Sequence, residues 1–148
     1  MRIALASDHA GFALKDELAA WLRDSGHVVI DLGTNSTESV DYPEYGARLA
    51  RAVASGDAVR GVAVCGSGIG ISIAVNRNPD CRCARVDDPL SARLAREHND
   101  ANVIAFGGRL IGSDMAKACV TEFLDTDFAG GRHQRRVDQL SQLLQESD

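Results

Sequence analysis

The sequence has no C-x-x-C pair, only two lysines (Lys15 and Lys117), and no apolar run near the ~18 residues that a membrane helix needs. Its four cysteines, Cys65, Cys81, Cys83 and Cys119, therefore lack the spacing of a zinc ribbon. Cys81-x-Cys83 reads either as a metal or redox pair or as two alternate positions on one strand. There is no excess of positive charge: 16 Lys and Arg against 21 Asp and Glu leave a formal net charge of −5, which argues against the basic face that nucleic acid requires. The opening residues 1–6 run at once into Ser7-Asp8-His9, too short for a secretory apolar region, so a cytoplasmic location with free thiols is expected. Internal repeats, linkers and low-complexity stretches are also missing. A single domain over 1–148 is expected.

What is present is alternation. Short apolar segments at 3–6, 28–32, 62–65, 83–86 and 103–106 are separated by stretches of helical character. Leu14, Leu18, Trp21 and Leu22 share one helix face, and Gly26 ends that helix. Pro43 suits the first turn of a second helix that buries Tyr45, Leu49, Ala52 and Val53. Asp88-Pro89 opens another, with Leu90, Leu94 and Ala95 inward, running to His98-Asn99-Asp100. Ser113-Asp114 caps the next, which buries Ala116, Val120, Phe123 and Leu124. After Gly130-Gly131 a C-terminal helix, 131–146, carries Val137, Leu140 and Leu144. This order predicts a three-layer α/β/α domain built on a five-stranded parallel sheet. Arg85 is out of place in it, and weakens the fourth strand.

The chain is organised around Val62-Ala63-Val64-Cys65 and the loop that follows, Gly66-Ser67-Gly68-Ile69-Gly70. A buried strand running through this loop into a helix aims backbone N–H groups, backed by the positive end of the helix, at one point. It is not a Walker A loop, because no Gly-Lys-Ser/Thr follows. It matches G-x-G-x-x-G only in part, although Asp87 stands where a ribose-binding acid would fall. A dinucleotide-binding module, an anion cradle and a tight structural turn are the three readings. Cys65 alone reads as a small core residue; at the mouth of an N–H cradle it reads as a thiolate able to act as a base.

Other polar groups collect where strands end: Asp8 and His9 after the first, Asp87 after the fourth and Arg109 after the fifth. In an open α/β sheet that edge binds ligands. His98, at a helix C-terminus, either complements the helix dipole or serves as an acid/base near neutral pH. Arg132 and Arg136 lie one turn apart at the start of the last helix, beside His133 and Arg135. Cations there oppose the dipole, so the cluster is either a solvated basic face or a phosphate site. A thiol base, an N–H cradle, imidazoles and arginines together suit aldose–ketose isomerisation of a sugar phosphate.

The motifs Ser7-Asp8-His9-Ala10-Gly11-Phe12, Asp41-Tyr42-Pro43, Cys65-Gly66-Ser67-Gly68-Ile69-Gly70, His98-Asn99-Asp100-Ala101-Asn102-Val103 and Gly130-Gly131-Arg132-His133-Gln134-Arg135-Arg136-Val137, in that order, resemble the type B ribose-5-phosphate isomerases. That family includes allose- and galactose-6-phosphate isomerases. The resemblance implies a Rossmann-like fold and a cofactor-independent, metal-free reaction through an enediolate. It implies that Cys65 moves the proton between C1 and C2, and that Gly66, Ser67, Gly68, Ile69 and Gly70 form the anion hole with help from the Ser67 hydroxyl, where many relatives have threonine. His98 would open the sugar ring, Asp8 and His9 would contact substrate, and Tyr42 would wall the pocket. Asn99, Arg109, Arg132 and Arg136 would bind the sugar phosphate. One branch of the family uses a glutamate where this chain has Ile71, so Cys65 with Ile71 implies the cysteine branch. The resemblance also implies a homodimer or tetramer whose sites draw on two subunits, with the C-terminal helix serving a neighbour. Outside this class, a non-catalytic dinucleotide or phosphosugar module would use Asp87 and the glycine loop, and a redox protein would use Cys81 and Cys83.

Overall fold

The computed structural model describes residues 1–143. The elements run β1 (Arg2–Ser7), α1 (Phe12–Asp24), β2 (Val28–Asp31), α2 (Tyr42–Ala54), β3 (Arg60–Cys65), α3 (Ile69–Asn76), β4 (Cys83–Arg85), α4 (Pro89–Asn99), β5 (Val103–Gly107), α5 (Ser113–Asp125) and α6 (Arg132–Gln142). Leu144 and the predicted helix beyond residue 143 lie outside the described residues. The five strands form one sheet in the order β2-β1-β3-β5-β4, and every pairing is parallel. The strand order turns at β1 and β3, which puts Ser7 and Cys65 at neighbouring strand ends.

Strand alternation divides the core in two. Ile3, Leu5, Val62, Val64, Ile104 and Phe106 face α1, α4 and α5. The small residues Ala4, Ala6, Ala63, Cys65 and Ala105 face α2 and α3. The Cys65 side chain therefore lies on the α3 side of the sheet, and α3 begins only a few residues after it. That face and that short connection place the first turn of the helix at the sulfur. Ile71, the position of the alternative glutamate, is fully buried in the same cluster.

Two expectations need correction. Leu90 is exposed; α4 instead turns Ala92, Ala95 and Arg96 inward. Arg96 is tolerated there because its guanidinium donates to the Thr126 and Ala101 carbonyls and pairs with Asp100 at 2.7 Å. The N-cap of α5 is Gly112, without a side-chain cap bond, so Ser113 and Asp114 belong to the first turn. Leu140 is exposed while Val137 is buried.

One buried ion pair shapes the site's edge. Lys15, fully buried, donates to Asp31 Oδ1 at 2.6 Å, and the same oxygen accepts the Gly33 N–H at 2.9 Å. The Gly33 carbonyl and the Thr34 N–H then bracket Ser7, at 2.8 and 2.9 Å. Asp8 follows directly from that clamp.

Candidate active site

Cys65 ends β3 and is almost wholly covered. Its sulfur accepts the Gly68 N–H at 3.1 Å. Gly68 achieves this with φ at +75°, and a Cβ on it would stand 2.6 Å from the Phe106 carbonyl carbon. Any side chain is excluded on both grounds. The next amide, that of Ile69, donates to Ser67 Oγ at 3.2 Å. The cradle is thus already partly engaged: Gly68 serves the sulfur and Ile69 serves Ser67. The Ser67 hydroxyl hydrogen remains available to donate, and Gly70 lies in the first turn of α3, where N–H groups have no intrahelical partner.

The surrounding residues come from separate loops. The Asp8 side chain accepts the Gly11 N–H at 3.0 Å, and this turn packs on the glycines of the other two loops: Cβ atoms built on Gly108 and Gly66 would approach Ala10 to 2.9 and 3.5 Å. His9 Nδ1 lies within hydrogen-bond distance of both the Val40 amide nitrogen, at 3.1 Å, and the Val40 carbonyl oxygen, at 3.2 Å. This contact ties the polar loop before α2 to β1. Tyr42 begins α2, and its ring covers Gly70 so closely that a Cβ there would meet it at 2.7 Å. Arg109, exposed, lays its guanidinium against Gly66, where a Cβ would stand 3.1 Å from Nη1. Asp8, His9, Tyr42, residues 65–70 and Arg109 therefore share one edge of the sheet.

His98, Asn99, Arg132 and Arg136 do not join them. The Asn99 and Asp100 carbonyls accept from Arg82 Nε at 3.1 and 3.0 Å, beside the beginnings of β4 and β5. Residue 103 is thus near this group and residue 107 near Cys65. The rise along β5 separates the two edges by roughly 13 Å. At the far edge α6 packs on α4, and the His98 and His133 rings stack with centroids 4.3 Å apart and an interplanar angle of 14°.

Loss of hydration there, then the charges of His98, Arg132 and Arg136, push His133 below the ordinary histidine value of 6.5. The unfolded chain binds more protons in mildly acid solution, so this group's contribution to stability is present above pH 6.5 and lost as the pH falls through its lowered value. Inorganic phosphate between the arginines would relieve part of the repulsion. Ring-proton NMR is expected to show a His133 midpoint below 6.5 that rises when phosphate is added; a midpoint at or above 6.5 in the free protein contradicts the reading.

Two competing uses of the sequence rest on Asp87 and on the Cys81–Cys83 pair. Asp87, the acid of the dinucleotide reading, is paired with Arg85 at 2.7 Å. Burial pushes the Cys81 thiol up to about 11 and raises Cys83 as well, which disfavours the thiolate form of both. Sequence reasoning missed Arg85 itself, treating it as a flaw in β4. Its Nε donates to the Ser67 carbonyl at 2.7 Å, in the glycine loop.

A sequence model of the Ribose/Galactose Isomerase family matches residues 3–140. The chain belongs to this family. It is 46% identical over 144 residues to the ribose-5-phosphate isomerase B of Escherichia coli, covering 97% of each chain. Among solved structures it resembles the Clostridium thermocellum ribose-5-phosphate isomerase B, with a TM-score of 0.98, 45% identity and all of both chains covered. It also resembles the Mycoplasma genitalium enzyme with bound ribulose-5-phosphate, with a TM-score of 0.93 and 34% identity over 99% of this chain and 97% of that one. Membership agrees with the parallel sheet and with the glycine loop at its switch point.

Proposed function

We propose that this protein interconverts ribose 5-phosphate and ribulose 5-phosphate without a cofactor, with Cys65 as the base. The observation that carries the reading is the sulfur at the N-terminus of α3, holding the Gly68 N–H at 3.1 Å within the ring formed by Asp8, Tyr42 and Arg109. Deprotonated Cys65 takes the proton from C2 of the open-chain aldose and returns it to C1, while a proton moves from O2 to O1. The aldehyde becomes an alcohol and the C2 alcohol a ketone, so no electrons leave the substrate. Negative charge on the enediolate oxygens is met by the Ser67 hydroxyl and the free amides of the loop and first helical turn.

His98 opens the ring, and Asn99, Arg132 and Arg136 grip the phosphate, from a second subunit of a homodimer or dimer of dimers. The separation of roughly 13 Å supports this, since one pentose phosphate has to touch both groups. So does the outer face of α3, where Ile69 and Ile73 are 52% and 53% exposed at i, i+4 beside the cradle. In this reading the C-terminal helix serves the neighbour's pocket. Among the described residues no helix is long and apolar enough to cross a membrane. Four free cysteines accord with a reducing cytoplasm.

Turnover across a panel of ribose 5-phosphate, allose 6-phosphate and galactose 6-phosphate tests the assignment. The highest kcat/KM is expected for ribose 5-phosphate. A preference for either hexose phosphate would move the substrate within the family, and no turnover on any would remove the reading.

A further inference from the structure

Arg85 stands at the end of β4, two strands away from Cys65, yet both touch the same peptide group. Cα register pairs Arg85 with Ala105 and Cys65 with Gly107, so Arg85 lies one two-residue repeat below the sulfur on the far side of β5. Cys83, two residues before it on the strand, packs in the cluster that holds Cys65, so the pleat points Arg85 to that same face. From there its long side chain reaches the glycine loop. Its Nε meets the Ser67 carbonyl at 2.7 Å and its Nη1 meets Asp87 Oδ2 at 2.7 Å.

The Ser67 carbonyl and the Gly68 N–H belong to one peptide plane, and this peptide is trans. Fixing the oxygen on one side fixes the direction of the N–H on the other, and that N–H is the one at the Cys65 sulfur. A cation at the carbonyl also draws electron density along the amide and strengthens its N–H as a donor. The series Asp87 carboxylate, Arg85 guanidinium, Ser67–Gly68 peptide, Cys65 sulfur is therefore continuous, with distances of 2.7, 2.7 and 3.1 Å.

We infer that Arg85 is a positioning residue for the isomerase reaction, orienting and polarising the Ser67–Gly68 peptide so that its N–H stabilises negative charge on Cys65, with Asp87 holding the guanidinium in place. The inference rests on the assignment of Cys65 as the base, but its effect on the sulfur can be read without turnover. The other titratable or charged groups on the loops around the cradle are Asp8, His9, Glu38, Asp41, Tyr42, Asp88 and Arg109, and none is altered in the variants below.

The experiment compares wild type, Arg85→Met, Arg85→Lys and Asp87→Asn for kcat and KM on ribose 5-phosphate. In parallel, alkylation of Cys65 by iodoacetamide is followed by mass spectrometry from acid to alkaline pH. Arg85→Met is expected to lower kcat about tenfold, less than the loss of a direct oxyanion donor, with KM changed by no more than about twofold. The pH midpoint of Cys65 alkylation should move upward. Arg85→Lys keeps one donor for the carbonyl without the fork to Asp87 and should fall between the two. Asp87→Asn leaves the loop untouched and should shift the midpoint in the same direction by less, which keeps the test available if Arg85→Met does not fold. An alkylation profile identical to wild type in the folded variants overturns the inference, as does a loss confined to KM. Should Cys65→Ala retain turnover while Arg85→Met still shifts alkylation, the base assignment fails and the positioning role stands. Should Cys65→Ala be inactive while Arg85→Met alkylates as wild type, the positioning role fails alone.

Discussion

Replacing Cys65 by serine is expected to lower kcat for ribose 5-phosphate by about 10³-fold or more, the scale of a lost general base. Serine keeps an acceptor in reach of the Gly68 N–H, which alanine removes; an amide stranded in that buried loop would cost about 1–3 kcal/mol. The serine variant should therefore melt close to wild type and bind substrate with little change in KM, so that the whole loss appears in the proton-transfer step. Alanine should be as inactive but less stable. Turnover within a few-fold of wild type in either folded variant would remove sulfur from the mechanism and leave the glycine loop as a binding element only.

Mixing two inactive variants is the second large effect. Cys65→Ala disables one edge of the sheet and Arg136→Ala the other. If each site takes its base from one subunit and its phosphate grip from the next, a hybrid dimer contains one site with both lesions and one with neither. Unfolding and refolding equal amounts together should restore about one quarter of wild-type activity, from half the dimers being hybrids with one intact site each. Persistent inactivity in a mixture shown to exchange subunits would place all of these residues in one chain's pocket, against the separation seen along β5.

The elements were legible because each answers to local patterning. The runs at 3–6, 62–65 and 103–106 are apolar throughout, as strands covered on both faces must be, and they lie within β1, β3 and β5. Where local signals competed, the reading slipped. Leucine at 90 suggested a buried face, but α4 turned its alanines to the sheet and used the Arg96 stem, because a guanidinium with three acceptors can be buried. Arg85 carried no sequence signal for its contact with the Ser67 carbonyl, since that contact depends on β5 being inserted between β3 and β4.

The amino-acid sequence by itself determined the alternating α/β order, the glycine loop after Cys65 and the chemical types available to a site, because strand patterning, turn glycines and side-chain chemistry are local properties. Only the tertiary structure decided which of those groups meet. It put Asp8, Tyr42 and Arg109 around Cys65, sent His98 and the α6 arginines to the opposite edge, and placed Arg85 on the peptide that serves the sulfur. Strand order and register set distances between residues far apart in the chain, and no local pattern encodes them.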